Sequence, residues 1–381
     1  MGSLRFLTAG ESHGPGLSII VEGMPAAVPL TEEQLEVDLR RRQGGYGRGG
    51  RMLIEQDYAY ITAGVTNGLT TGAPIALSIE NKDYANWKGK TLPPITVPRP
   101  GHADLSGALK YQHDDMRLVL ERSSARETTA RVAAAGVAKA LLRELGVRVG
   151  GHVVSIGEVE APVPDLPWDE LFRRAEDSEV RCYDAEATAR MVERIDRAKA
   201  DRDTLGGVVE VVAWGLAPGV GSFVHWDRKL DGRLAGAVMS INAIKGVEIG
   251  DGFASAHRPG TQVQDAIRWG EGRPIRATNR AGGTEGGVTN GEPIVIRAAM
   301  KPISTTLTPQ PSVDVRTGTE TVMEYQRSDI CAVPAAAVVV EAMVSLVLAD
   351  AYLEKFGGDN IKETRSNMER FLSSIGWTAL V

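Results

Sequence analysis

Residues 40–52 read RRRQGGYGRGGRM, five arginines and five glycines in thirteen positions. Arginine keeps its charge when desolvated, and its planar fork grips a carboxylate or phosphate at two points. Glycine lets backbone close on whatever those arginines hold. Such a stretch suits an arm for nucleic acid, a solvated surface loop, or a wrap around a small polyanion. A second candidate is LERSSARETTARVA at 120–133. Arg122, Ser123, Ser124 and Arg126 bracket a helix start there, where free N–H groups and the positive dipole end form a seat for an anion. Two histidines lie in glycine turns, His13 in TAGESHGPG (8–16) and His102 in PRPGHAD (98–104). Imidazole, with a pKa of about 6.5, trades a proton at neutral pH. Arg99 stands close to His102, and Asp104 is spaced to orient its ring. A single loop histidine is more often structural, so the weight comes from the company these keep. Lys301, Ser304 and Thr305 in KPISTT (301–306) could seat another phosphate, and Arg327, Ser328 and Asp329 precede a long apolar run. No GxxxxGK[ST], no strand-anchored GxGxxG and no metal-ligand spacing occurs.

Composition narrows the choice. Lysine and arginine number 43 against 49 aspartate and glutamate, for a net charge of −6 and a pI of about 5.7. Proteins of DNA and RNA usually present a basic domain, and only Tyr46 interleaves the arginines, so nucleic acid is an unsuitable partner. Arginine supplies 32 of the basic residues, which codon bias alone explains as readily as function. Two cysteines, Cys182 and Cys331, are too few for a disulfide framework or a metal cluster. The start, MGSLRFLTAGES, lacks the apolar core and cleavage site of a signal peptide. The run AVPAAAVVVEAMVSLVLA (332–349) carries Glu341 and precedes Asp350, so it reads as a buried helix rather than a membrane span. A cytoplasmic location and no membrane partner are expected.

These residues need elements to position them. Strands are expected at 17–21, 53–63, 74–79, 151–156 and 206–213, and after the glycine-rich loop 281–293. Helices are expected at 31–42, opened by a Thr31/Gln34 capping box, and from Ser124, opened by a Ser124/Glu127 box and closed by Gly146. Others fall at 168–177, at 184–199, along Leu230, Leu234 and Val238, and from Pro334 to Gly357. The irregular alternation argues for one large α+β domain over 1–358, followed by a polar, loosely held tail at 359–381.

Eight motifs then fall into a known order. GESHG (10–14), RRRQGGYGRGGRM (40–52), RPGHAD (99–104), RSSARET (122–128), SINAIKGVEIGDGF (240–253), GGTEGGVTNG (282–291), KPIST (301–305) and RSD (327–329) resemble the chorismate synthase family, shorter bacterial type, over about residues 4–357. The resemblance implies a β-α-β sandwich with antiparallel sheets and a homotetramer. It implies a lyase of the shikimate pathway, feeding aromatic amino-acid biosynthesis. The substrate is 5-enolpyruvylshikimate 3-phosphate, and a 1,4-anti elimination of phosphate gives chorismate. Reduced FMN is required without net redox change. Whether NADPH reduces it on the chain or an external flavin reductase delivers it stays open.

The resemblance also assigns roles. His13 protonates the departing phosphate, His102 protonates the reduced flavin near N1, and Asp329 assists proton removal through N5. Arg42, Arg48, Arg51, Arg126 and Arg327 form a cationic wall for substrate and flavin oxyanions, with Arg42 and Arg48 also associated with NADPH. The flavin lies against Arg122, Ser123, Ser124, Asn242, Ala243, Gly286, Lys301, Pro302, Ile303, Ser304, Thr305 and Arg327. The substrate carries a charge of about −3.5 to −4, so stacking it on a second phosphate ester needs fixed cations. Ile330 stands where many members have proline, and Thr284 is a variable loop position.

Overall fold

The computed structural model describes residues 4–49, 56–270, 272–324 and 328–377. Alternation builds the first sheet: in β2 (Gly16–Glu22), Leu17, Ile19 and Val21 are buried while Ser18 and Ile20 face out, the two-residue period of a half-buried strand. It pairs antiparallel with β1 (Arg5–Gly10) and β4 (Ile75–Glu80), and β4 pairs with β3 (Ala59–Ala63). The sheet order is β1-β2-β4-β3. The expected 53–63 strand begins only at Ala59, and residues 53–55 lie outside the described set.

A second antiparallel sheet contains β5 (Arg148–Ile156), β6 (Val159–Glu160), β7 (Gly207–Trp214), β8 (Ile244–Ile249) and β9 (Ile294–Met300) in the order β8-β9-β7-β5-β6. Helices fill the space between the sheets. They are α1 (Glu32–Gln43), α4 (Glu127–Glu144) and α8 (Val333–Phe356); α2 (Asp104–Tyr111) and α3 (Arg117–Ser123) lead up to α4. Helix α4 packs on β1 and β2, α8 packs on β5 and β7, and the two helices pack on each other. The result is a sheet–helix–sheet sandwich. Helix α4 is rich in alanine, and Gly136 faces Leu35 of α1 so closely that a methyl group there would meet the Leu35 side chain at 2.5 Å. Helix α8 is long and apolar enough to cross a membrane by length and composition, yet it is the buried core helix. A helix apolar on all sides belongs in such a core. Helices α5 (Trp168–Glu176), α6 (Ala185–Ala200) and α7 (Leu230–Met239) flank the second sheet.

Two expectations are corrected. The Ser124/Glu127 capping box does not form. Helix α4 starts at Glu127, whose carboxylate instead accepts from Thr8 Oγ1 at 3.0 Å and Arg131 Nε at 2.8 Å. The tail is not loose over its length: α9 (Ile361–Ser374) is capped by Asn360 and Glu363 and buries Ile361, Thr364, Met368 and Leu372. Ile361, Met368 and Leu372, with Thr364 between them, line one face at helical spacing, a stripe that the helix's many charges hide.

Candidate active site

The His13 turn joins β1 to β2. Gly10, at φ +121°, opens it, and a side chain there would run into Gly16 O. Asn81, directly after β4, donates its amide to Ser12 O at 3.1 Å and Gly14 O at 2.8 Å. Helix α3 grips the same turn: Ser12 N donates to Glu121 O at 2.9 Å and His13 N to Glu121 Oε2 at 2.7 Å. The imidazole Nδ1 meets Glu121 Oε1 at 2.7 Å, and the Trp87 ring lies over it at 3.9 Å between centroids. Ser12 and Ser124 hydroxyls stand 3.1 Å apart. The Glu121 carboxyl is held below its usual range: burial opposes this, but the ring and backbone bonds from His13 outweigh it.

His102 is placed by the Pro100–Gly101 turn, with Gly101 at φ +75°. Asp104, buried at the start of α2, accepts at 2.6 Å from His102 Nδ1 and at 2.7 Å from Arg99 Nε. Burial works against the Asp104 carboxyl, but those two partners hold it well below the usual carboxylate range. Lys301, following β9, donates to Gly101 O at 3.1 Å. Burial and the neighbouring Lys245 push the Lys301 ammonium below its ordinary value.

The arginines form a third group. Arg42 ends α1 and is only 5% exposed; it donates to Thr128 Oγ1 at 2.9 Å and Ala125 O at 2.8 Å, with Asp57 Oδ2 at 3.7 Å. Arg126 donates to Asp57 Oδ1. Burial pulls the Arg42 guanidinium down to about 10 and the nearby Arg48 and Arg126 add to this, while Asp57 opposes it. Arg42 therefore stays charged at neutral pH. Arg48 Nη1 lies 2.9 Å from Asp329 Oδ2, and Gly49 N donates to Asp329 Oδ1 at 2.6 Å. Ile330 N donates to Gly47 O at 2.9 Å, a tie that proline at this position would lack. Cys331, beside Gly47, is pushed up to about 11 by burial, so it offers no thiolate.

The three groups are linked. Asn242 Nδ2 donates to Ser123 O at 2.7 Å, and Lys301 N to Ala243 O at 2.9 Å, which carries the His13 side round to Lys301, Gly101 and His102. Ser328 Oγ donates to Thr305 O at 2.8 Å, joining the 301–305 stretch to Asp329 and Arg48. Arg126 N donates to Ser124 Oγ at 3.3 Å, returning to Ser12. Ser304 lies beside Gly101; Pro302 and Ile303 pack at Gly206 and Thr204. Ala243 adopts a left-handed φ of +67°. Ser123 Oγ is buried with no hydrogen-bond partner among the described residues. Arg122 turns outward, donating to Thr8 O at 2.9 Å.

Gly286 is not brought in. It tips a small hairpin (Thr284–Glu285, Val288–Thr289), and among the described residues a methyl group there would meet only Phe223, at 3.9 Å. Arg51 and Arg327 lie outside the described residues. A separate surface cavity of about 750 Å³ beside Asp251, Arg258 and Arg280 contains none of these groups. Sequence reasoning missed Glu121, Asp57 and Trp87. Glu121 lies inside the LERSS stretch, but nothing local pairs it with a residue 108 positions away.

The arrangement offers two imidazoles, each tied to a carboxylate, around a set of buried cations. It can hold a multiply charged anion and supply protons at two points. The sequence profile of the chorismate synthase family matches residues 4–353. Chorismate synthases of Carboxydothermus hydrogenoformans and Moorella thermoacetica are 53% and 56% identical, covering 97% and 98% of this chain and 99% and 100% of theirs. A crystal structure of chorismate synthase superposes with a TM-score of 0.82 at 45% identity, covering 98% of each chain. On this match in sequence and in shape, the chain belongs to the chorismate synthase family.

Proposed function

We propose that the chain eliminates phosphate from 5-enolpyruvylshikimate 3-phosphate to give chorismate, with reduced FMN bound beside the substrate. The C3–O bond to phosphate breaks, a C6 hydrogen leaves, and no net oxidation occurs. The supporting observation is the pair of histidines, each bonded through Nδ1 to a carboxylate, on a contact circuit that also carries Arg126, Arg48 and Lys301. When bound, reduced FMN lends electron density as phosphate leaves and recovers it as the C6 hydrogen departs.

The residues suit such a flavin. The unpartnered Ser123 hydroxyl calls for a ligand hydrogen bond, and the partly desolvated Lys301 ammonium favours an oxyanion. Residues 301–305 and 242–243 would hold it. His13 gives a proton to the departing phosphate, since a poor leaving group gains most from protonation in the transition state. Arg48 and Arg126 stabilise the charge that develops there. Arg42, fully engaged inside, contributes through its field. Asp329 would serve as the base for the proton lost from C6, and His102, oriented by Asp104, would hold a proton toward the flavin site. We read the location as cytoplasmic.

The assembly is read as a homotetramer. Gly286 lies in the hairpin that precedes β9, whereas Lys301 follows the far end of that strand. In such an assembly Gly286 would serve a neighbouring copy. Mixing the protein anaerobically with reduced FMN and the substrate tests the function: chorismate and free phosphate are expected in equal amounts. No product under those conditions would end this reading.

A further inference from the structure

Glu121 holds the His13 turn at three points. Its main-chain oxygen accepts from Ser12 N, Oε2 accepts from His13 N, and Oε1 meets the imidazole Nδ1 at 2.7 Å. An ionised carboxylate only accepts, so Nδ1 carries the hydrogen. Nε2 is then the nitrogen left for a reaction partner. Trp87 covers the ring face, and its own indole N–H is anchored on Asp83 Oδ2 at 2.9 Å. Tryptophan faces favour a cation. Other charged groups packed at this site include Arg117 on α3, which acts on Glu121, Glu11 in the same turn against Gly14, and Asp83 behind the indole. Of the described residues, only Glu121 touches the imidazole through a charged atom.

We propose that Glu121 is a positioning residue for the elimination: it fixes His13 as the Nδ1–H form and steadies the imidazolium, so that Nε2 delivers the proton to the departing phosphate. The carboxylate never touches substrate. It acts as the orienting partner acts in any acid–base pair whose tautomer matters, and its loss removes part of the ~10²–10⁴-fold that positioned proton transfer contributes. A neutral glutamine of the same size keeps the backbone bond to His13 N but withdraws the counter-charge.

The inference rests on the function proposed above, and the test separates the two. Glu121→Gln, Glu121→Asp, His13→Ala and the His13→Ala/Glu121→Gln double variant are assayed anaerobically with reduced FMN and 5-enolpyruvylshikimate 3-phosphate across pH. Glu121→Gln is expected to lower kcat at least about 10-fold, part of the ~10²–10⁴-fold of general acid catalysis, with KM within about threefold, and Glu121→Asp to recover part. The limb of kcat that falls as pH rises should move to lower pH in Glu121→Gln, because the imidazolium has lost its counter-charge. The double variant should be no slower than His13→Ala, as coupled residues behave. In ¹⁵N-histidine-labelled protein, which needs no turnover, one ring should show the Nδ1–H pattern in the wild type and lose it in Glu121→Gln. Wild-type kcat and an unmoved pH profile in Glu121→Gln would overturn the proposal, as would an unchanged ¹⁵N pattern. No product from the wild type would defeat the proposed function instead, while the ¹⁵N spectrum still reports on Glu121.

Discussion

Arg48 and Asp329 meet through Nη1 and Oδ2 at 2.9 Å, and the same carboxylate takes the backbone N–H of Gly49 on its other oxygen. The arginine–glycine stretch is thus pinned at its centre to a residue from the far end of the chain. Arg48→Ala is expected to raise substrate KM about 10–100-fold, the scale of a charge-assisted bond worth ~1.5–3 kcal/mol. Arg48→Lys should restore only part, since an ammonium cannot reproduce the fork. Steady-state kinetics decide this, and full recovery by lysine would show that fork geometry is irrelevant.

His102 is the second proton donor of the proposed mechanism. His102→Ala should slow turnover about 10–10⁴-fold with circular dichroism and the unfolding midpoint close to wild type. Normal turnover would remove the residue from the mechanism. Asp104→Asn should lower kcat and also loosen the 98–104 turn, because it withdraws the charge from Arg99 as well.

Acid should destabilise the protein in a defined window. Asp104 and Asp38 both titrate lower folded than unfolded: burial opposes this, and His102 and Arg99, or Lys139 and Arg41, overcome it. A depressed carboxylate contributes stability above its unfolded pKa of about 3.9, and that contribution is lost as pH falls through the folded value. Urea midpoints measured from pH 6 down to pH 3 should drop steeply below about pH 4. Asp104→Asn should show a shallower slope, because it removes one proton taken up on unfolding.

A buried ion network lies between α1, α4 and α8. Lys139 Nζ donates to Asp38 Oδ2 at 2.6 Å and to Glu341, while Arg41 reaches Asp38 at 2.5 Å, Glu176 at 2.6 Å and Glu341 at 2.9 Å. Glu341 is 2% exposed in the apolar N-terminal half of α8. Lys139→Met should cost about 3–5 kcal/mol, because it leaves carboxylate charge uncompensated in the interior. Denaturant unfolding measures this, and a loss under about 1 kcal/mol would mean that Arg41 alone suffices.

Signals confined to neighbouring residues are legible in the sequence. The Thr31/Gln34 box, Gly146 at φ +75° after α4, and the Pro334 start and Gly357 end of α8 all stand where local chemistry puts them. The Ser124/Glu127 box fails because its glutamate is claimed from a distance by Thr8. Sheet order is not legible, since β9 lies between β8 and β7 through pairings that no turn specifies. The histidines and arginines are legible by motif. Their counter-ions are not: Asp57 reaches Arg126 across 69 positions, and a lone aspartate carries no local mark of that task.

Helix α8 is the floor of the second sheet and packs on α1 and α4, yet it follows most of the chain in order of synthesis. It packs on α1, α4, β5 and β7, and Asp350 near its end takes the Leu4 N–H at 2.7 Å. During synthesis the apolar faces built from the first 214 residues therefore wait for residues 333–356 to leave the ribosome. Contacts this far apart in sequence make folding slow and leave sticky surface uncovered meanwhile. A codon or temperature change that delays the chain's final third should therefore show first as aggregation.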